Sequence, residues 1–571
     1  MSRYAIGIDF GTNSCRSLLV EVATGRELAN FVFPYPSGED GVIQDAAEPH
    51  LARQNPADYM DGIRETIRGV IQKGKSSDPE FDPKFVIGIG VDTTGSSPMP
   101  VDERGLALCS QDRFRENPAA MVWLWKDHTS YKEAEQITRL ASDMRPEYLS
   151  KIGGTYSSEW WWSKILNCKN NAKEVYDAAF SWVEICDWIP AVLTGNTNPR
   201  EIKRSVCAAG HKAIYNPRWN GLPDEDFLDR LSPGLGNLRR RLYDRAYTAD
   251  HRAGTISPEW ARVLGIPESV VIAVGAFDAH MGAVGAGIAP GALVKIIGTS
   301  TCDIMIHPNS QGLQDIPGVC GIVDGSVMEG YYGIEAGQSG VGDIFLWFVN
   351  ALVPEKYGRN QAEQFASLEI KASSLKPGES GLLALDWNNG NRTILVDVRL
   401  TGLIIGQTLQ TQAHEIYRVL LEATGFGALR IIDRMEEYGV HVEQVVNCGG
   451  LAMRNSLLMQ IYADIIGRPM KISRSEQTPA LGAAIFASVA AGISSGGHAS
   501  VSDAQKCMVG IGKEFAPVDE NHRIYKQLYL LYQQLHDAFG ASSWSGEMFN
   551  LMKELLDIKD CVRRGDGCWK N

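Results

Sequence analysis

No two of the eleven cysteines stand close enough for a C-x-x-C pair, and the nearest in sequence are Cys561 and Cys568. Zinc ribbons and thioredoxin-like redox pairs are thereby excluded, and the cysteines read as free thiols of a reducing compartment. Long apolar runs are missing as well. The greasiest stretch, residues 269–300, is interrupted by Asp278, His280 and Lys295 and is rich in glycine, so it is no membrane span. The start, MSRYAIGIDFG, lacks the apolar core and small-residue cleavage site of a secretion signal, which points to the cytosol. Positive charge is short too: the net charge of −13 argues against general binding to nucleic acid or to acidic membranes. Low-complexity segments and short repeats are absent.

What is present is ordinary globular composition, 44% hydrophobic and 22% charged, on a chain of 571 residues. That length exceeds one core and suggests about three to four domain-sized units. Residues 4–10, 15–22 and 26–33 alternate as three short strands joined at Gly11-Thr12-Asn13 and at Ala23-Thr24-Gly25. A helical pattern over 56–72 opens on Asn55-Pro56, and the apolar strand FVIGIGV at 85–91 ends on Asp92. Strands and helices mixed in this way predict an α/β plan.

Residues 121–265 read as loop-rich, tryptophan-heavy insertions. The second half then repeats the first. Strands are expected at 292–297, 302–306 and 326–334, a long amphipathic helix near 407–437, and strand–turn–helix units around VEQVVNCGG and RPMKIS. The tail after about 515 reads as helical. This half-chain repeat predicts two similar domains, 1–286 and 287–571, facing each other across a cleft.

The repeat carries chemistry at its turns. IGIDFGTNSCRSLLV (6–20) and LVKIIGTSTCDIMI (293–306) each run strand, Gly-Thr turn, small polar residues, cysteine, strand. Such turns expose backbone N–H groups in a concave anion site, and glycine lets an oxygen approach the main chain. Gly11, Thr12, Asn13 and Ser14 on one side, and Gly298, Thr299 and Ser300 on the other, suit opposite ends of a polyphosphate. A carboxylate beside phosphates needs a divalent cation, which makes Asp9 a candidate Mg²⁺ ligand. Arg16 shares a face with Ser14 and is in reach of a phosphate. Gly449-Gly450, at a strand end, lets a base or ribose lie against the chain. Asn455 either bonds the adenine or caps the next helix. A dinucleotide-binding reading fares worse, because GAVGAG (282–287) and GIG (88–90) lack the G-x-G-x-x-G spacing and the acidic ribose partner.

In GAFDAHMGAVGAG, Asp278 is a carboxylate in a run almost devoid of charge. A buried lone carboxylate needs a partner or a task, and a general base accepting the proton of an attacking hydroxyl is one such task. A helix cap is the other reading. Lys212 alone reads as a surface lysine. The run Trp160-Trp161-Trp162 is expected to leave at least one ring outside the core, because successive residues point in different directions.

With these motifs in place, the chain resembles the FGGY family of carbohydrate kinases over nearly its whole length. GVDTTGSSPMPVD, VWLWKDHT, IGGTYSSEW, CDWIPAVLTG, AGHKA, GAFDAHMGAVGAG and EAGQS are most similar to the family's ribulose-phosphorylating branch. The resemblance implies two ribonuclease-H-like, actin-like ATPase domains. It also implies ATP- and Mg²⁺-dependent phosphorylation of ribulose at its 5-hydroxyl in arabinose use. Carried over by position, Asp278 is the base, and Thr94, Gly95, Ser96, Ser97, Lys212, Asp278 and Glu335 contact the sugar. Asp9 stands on the metal side, Gly298–Ser300 at the γ-phosphate, and Gly449, Gly450 and Asn455 at the adenosine. Asn13 departs from the family's usual threonine. The partners implied are a sugar and ATP, with no nucleic acid and no membrane; a homodimer is the assembly considered. Xylulose, rhamnulose and glycerol kinases share the frame, and an actin-like ATPase switch is the reading from a different class.

Overall fold

A computed structural model describes residues 2–565. The chain divides into two compact units: residues 1–290, 306–334 and 477–510 form the first, and 291–305, 335–476 and 511–571 the second.

In the first unit, β1 (Tyr4–Phe10) pairs antiparallel with β2 (Ser14–Glu21), which pairs antiparallel with β3 (Glu27–Pro34). On its other edge β1 runs parallel to the strand Val86–Thr93, where Asp9 stands opposite Asp92. Helix α1 (Pro56–Ser77) covers this sheet. Asn55 caps it by accepting from the Ala57 amide, Pro56 supplies the first turn, and Tyr59, Ile63, Ile67 and Val70 face inward at helical spacing. On the sheet also lies the helix Thr478–Ala491, buried almost all round. It sits in a trough of glycines. A Cβ on Gly7 would stand 1.7 Å from the Ala480 carbonyl oxygen, and one on Gly90 1.9 Å from that of Ala483. The alternating glycines of these apolar strands are there for helix approach.

The second unit reuses the strand logic. Ala292–Ile297 pairs antiparallel with Thr301–Pro308 and parallel with Gln444–Cys448, which continues to Met470–Ser473 and Ile511–Phe515. One strand flanked by an antiparallel hairpin partner and a parallel neighbour is the arrangement around β1. The half-chain repeat is therefore a repeat of structure. The long helix runs from Ala413 to Glu437, and the tail forms the helices Asp519–Gly540 and Leu551–Arg564.

Four expectations are corrected. The middle region is helical rather than loop-rich, with helices at Tyr131–Met144, Trp161–Asn171 and Ile185–Thr194 among others. Trp160, Trp161 and Trp162 are all buried, at 7%, 1% and 1% exposure. Trp160 is extended while the next two open a helix, and this change of backbone direction lets three consecutive rings enter one core. Cys561 is disulfide-bonded, so the free-thiol reading holds only for the nine cysteines found free. A spacing rule for C-x-x-C does not exclude a wider loop. Finally, of the strand expected at 326–334 only the last residues are strand, within Tyr331–Ala336, and a separate strand, Gly321–Asp324, precedes it. Among the described residues, no helix is long and apolar enough to cross a membrane.

Candidate active site

In the first unit the Gly11 amide donates to the Ser14 carbonyl at 3.0 Å, closing the turn between β1 and β2. The Thr12 carbonyl takes the Gln54 amide at 2.7 Å, its hydroxyl takes the Trp125 indole at 3.0 Å, and Asn13 Nδ2 donates to the Asp40 carbonyl at 2.7 Å. Outward-facing oxygens and amide side chains are thus tied back. The backbone N–H groups of Thr12 and Asn13 donate to no backbone acceptor among the described residues. Arg16 lies opposite Asp9 in the ladder, with Nε 3.3 Å from the Asp9 carboxylate, and its Nη1 reaches Gln477 at 3.3 Å.

Asp9 therefore has a cation on one side and Asp92 on the other. Asp92 is fully buried, and neither carboxylate oxygen has a hydrogen-bond partner among the described residues. Burial, then the charges of Asp9 and Asp278, push the Asp92 carboxyl well above the usual range. Burial also raises Asp9, against the pull of Arg16. Asp92 was missed as a functional residue. Its signal was visible: like Asp9, it stands near the end of an apolar strand, just before a Thr- and Gly-containing turn.

Asp278 is partly exposed, not sealed in an apolar run as expected. Asp92, distant in sequence, is close enough for the charge of Asp278 to act on it. It opens the helix Asp278–Gly285, and its Oδ1 accepts from the Ala279 amide at 2.7 Å, while Phe277 occupies the cap position. Phe277 has a second task. A Cβ on Gly95 would fall 1.8 Å from its ring, so the loop Thr94–Ser97 is laid directly on the residue before Asp278. Thr94 and Ser97 share a hydroxyl contact at 3.2 Å, and the Thr94 amide donates to the Phe10 carbonyl at 3.1 Å. Lys212 is 6% exposed, against the surface reading. Its Nζ lies 5.2 Å from the Trp160 ring centroid and 6.0 Å from that of Phe277. Asp278, Gly95 and Lys212 are thus gathered around one phenylalanine. Next to them His211 and His280 meet at 3.0 Å, with Ser326 also 3.0 Å from His211.

In the second unit the Gly298–Ser300 turn is closed by the Gly298 amide on the Ser300 carbonyl at 2.9 Å. Amides at the start of the helix Gly342–Leu352 hold the carbonyls: Val341 and Asp343 donate to Thr299, and Gly342 to Gly298. The Thr299 and Ser300 amides are again left without a backbone acceptor among the described residues. Beneath the turn, Lys295 pairs with Asp303 at 2.8 Å and donates to Gln338 Oε1 at 2.9 Å, and both ions are 1% exposed. Sequence reasoning passed over this pair. The signal was two opposite charges facing each other across the predicted hairpin.

Gly449 has φ of +94°, and a Cβ there would stand 2.5 Å from the Ile297 carbonyl oxygen. Glycine is required for the turn to close on the strand end that carries Gly298. Asn455 realises its capping alternative. It accepts from the Leu458 amide at 2.8 Å, and its amide donates to Glu369 at 2.8 Å and Tyr417 at 3.3 Å. Glu335 lies near the end of Tyr331–Ala336, 8% exposed.

Two family models cover most of the chain: the N-terminal domain of the FGGY family of carbohydrate kinases matches residues 4–285, and the C-terminal domain residues 293–491. The chain belongs to the FGGY family of carbohydrate kinases. A protein named ribulokinase from Shouchella clausii is 41% identical over 99% of this chain and 99% of its own. One from Geobacillus thermodenitrificans is 41% identical over 98% of each. Among solved structures, a xylulose kinase from Rhodospirillum rubrum superposes with TM-score 0.75 at 20% identity, covering 94% of this chain and 99% of that one. A Plasmodium falciparum glycerol kinase with ADP gives TM-score 0.74 at 15% identity, covering 94% and 98%. These structures establish the FGGY fold for the chain.

Proposed function

We propose that this FGGY kinase transfers the γ-phosphoryl group of ATP to the 5-hydroxyl of ribulose, in arabinose catabolism, giving ribulose 5-phosphate and ADP. The near-full-length similarity to proteins named ribulokinase carries this reading. The gathering of Asp278, Gly95 and Lys212 around Phe277 supports the parts assigned below.

The sugar side is assigned to residues 1–286. The loop Thr94–Ser97, with Lys212, orients the pentulose, and Asp278 accepts the proton of the attacking hydroxyl as the oxygen–phosphorus bond forms. Glu335 is assigned to a further sugar hydroxyl. The nucleotide side is assigned to residues 287–571, with the Thr299 and Ser300 amides donating to phosphate and Gly449-Gly450 receiving the nucleoside. Asn455 acts there by capping the helix behind this turn. The Gly11–Ser14 turn and Arg16 give further phosphate donors. Mg²⁺ fits the Asp9–Asp92 pair, because two adjacent buried carboxylates, one without a hydrogen-bond partner among the described residues, are a donor set a hard cation satisfies. When bound it would neutralise phosphate charge.

A coupled ADP-release assay over pentuloses, pentitols and glycerol, with a no-sugar control, tests the reading. Ribulose is expected to give the highest kcat/KM. ADP release indifferent to every sugar would instead identify a nucleotide-driven switch.

A further inference from the structure

Two buried charges of the first unit have no part in the chemistry above. Lys164, in the helix Trp161–Asn171, is 0% exposed, and Glu184, at the end of the strand Ser181–Glu184, is 3% exposed. Removing either charge from water costs several kcal/mol unless hydrogen bonds compensate. Neither lies within ion-pair distance of an opposite charge among the described residues, although each feels the charge of the other. Both are directed at one peptide instead.

Lys164 Nζ donates to three carbonyls: Ser96 at 2.7 Å, Leu124 at 2.8 Å and Trp123 at 3.3 Å. The Glu184 carboxylate accepts the Ser96 hydroxyl on one oxygen and the Ser97 amide, at 2.7 Å, on the other. Ser96 is therefore gripped on its carbonyl by a cation, and on its hydroxyl and following amide by an anion. The Ile185 amide, next to Glu184, donates to the Ser97 carbonyl at 3.3 Å. Every polar group from the Ser96 hydroxyl to the Ser97 carbonyl is thus held. A loop that only had to pack would not need two ionisable side chains buried against one residue.

We propose that Lys164 and Glu184 are positioning residues that hold the Thr94–Ser97 loop in the shape it presents to the sugar, and so set the discrimination among pentuloses. The proposal rests on the reading that this loop binds the substrate. The grip acts before chemistry, on the free enzyme, so its loss weakens sugar binding more than it slows the bound complex.

The test compares Glu184→Ala, Glu184→Gln and Lys164→Met with the full-length wild type, by steady-state kinetics and by hydrogen exchange of residues 92–100. Glu184→Ala is expected to raise the KM for the best pentulose by about 10- to 100-fold, the loss of one to two strong hydrogen bonds. Its KM for ATP should stay within about two-fold, a split a merely structural residue would not produce. Glu184→Gln, which keeps an acceptor for the Ser97 amide and a partner for the Ser96 hydroxyl, should recover most of the loss. Lys164→Met should flatten the ranking of pentuloses. Should Glu184→Ala not fold, Glu184→Asp, which keeps the carboxylate but draws it back from the loop, decides in its place by the same split of KM values.

A folded Glu184→Ala with wild-type sugar KM and unchanged pentulose ranking overturns the proposal. So does a parallel rise in both KM values accompanied by a lower melting temperature. A wild type that turns over no pentulose sinks the functional reading instead; unchanged exchange protection of 94–97 in Glu184→Ala then overturns the clamp independently.

Discussion

Asp278 and Asp92 both end apolar strands, yet their surroundings differ in a way that decides their chemistry. Asp278 is partly exposed at a helix start, where a substrate can reach it, whereas Asp92 is sealed beside Asp9. A base must be accessible to the proton it takes, so Asp278→Asn is expected to lower sugar-dependent kcat by roughly 10²- to 10⁴-fold while leaving the KM for ATP nearly unchanged. Near-normal turnover in steady-state assays would remove Asp278 from the mechanism. Gly298 allows a similarly clean experiment, because a Cβ there has only the Ser300 carbonyl oxygen within reach, at 4.0 Å. Gly298→Val should therefore fold normally and raise the KM for ATP more than that for the sugar, since the added side chain meets only the incoming phosphate. Comparing both Michaelis constants checks it; an effect confined to the sugar would contradict the assignment. At this scale the glycine turns were legible, because a turn declares itself in a few adjacent residues. Asp92 and Lys295 left a signal in the sequence, but their roles depend on which neighbour stands across a ladder, and that pairing is not local.

Secondary-structure elements were read well where one periodicity ran uninterrupted, as in β1, β2, β3 and α1. The tryptophan run misled because a helix start changes the direction of successive side chains, which no fixed period captures. The helix Thr478–Ala491 is the most instructive element. It is alanine-rich and buried nearly all round, and its bed is the glycine trough of β1 and Val86–Thr93. A second close approach joins it to the helix bearing Asp278: a Cβ on Gly482 would stand 1.9 Å from the Met281 carbonyl oxygen. Gly90→Ala therefore forces backbone apart and should cost about 1–3 kcal/mol, the usual cost of overpacking. Urea unfolding followed by circular dichroism measures it, and an unchanged midpoint would show that the helix can shift freely.

Across the whole molecule, burial of charge couples stability to pH. Asp187 is 3% exposed, and burial raises its carboxyl to about 6 although Arg204 pulls the other way and the Ser205 amide donates to it at 2.7 Å. The folded protein thus holds this proton more tightly than the unfolded chain. The contribution of Asp187 is most favourable below the ordinary carboxylate range and declines as pH rises through about 4 to about 6. Relative to Asp187→Asn, the wild type should lose on the order of 2–3 kcal/mol over that window and then change no further. Unfolding midpoints of the two proteins at pH 4, 5, 6 and 7 follow the difference, and a gap that stayed constant would show that Asp187 keeps its ordinary affinity.

The amino-acid sequence by itself determined the local conformations and their duplication: the two Gly-Thr turns, the strands around them, the capped first helix and the family to which they point. These depend on residues within a few positions of one another. Only the tertiary structure decided that Asp92 stands beside Asp9, that Phe277 seats Gly95 next to Asp278, and that a helix from residue 478 onward completes the first unit. It also placed Lys164 and Glu184 on the same serine. Such neighbours are set by register and close packing between distant segments, and the energy that selects them exists only once the chain has brought them together.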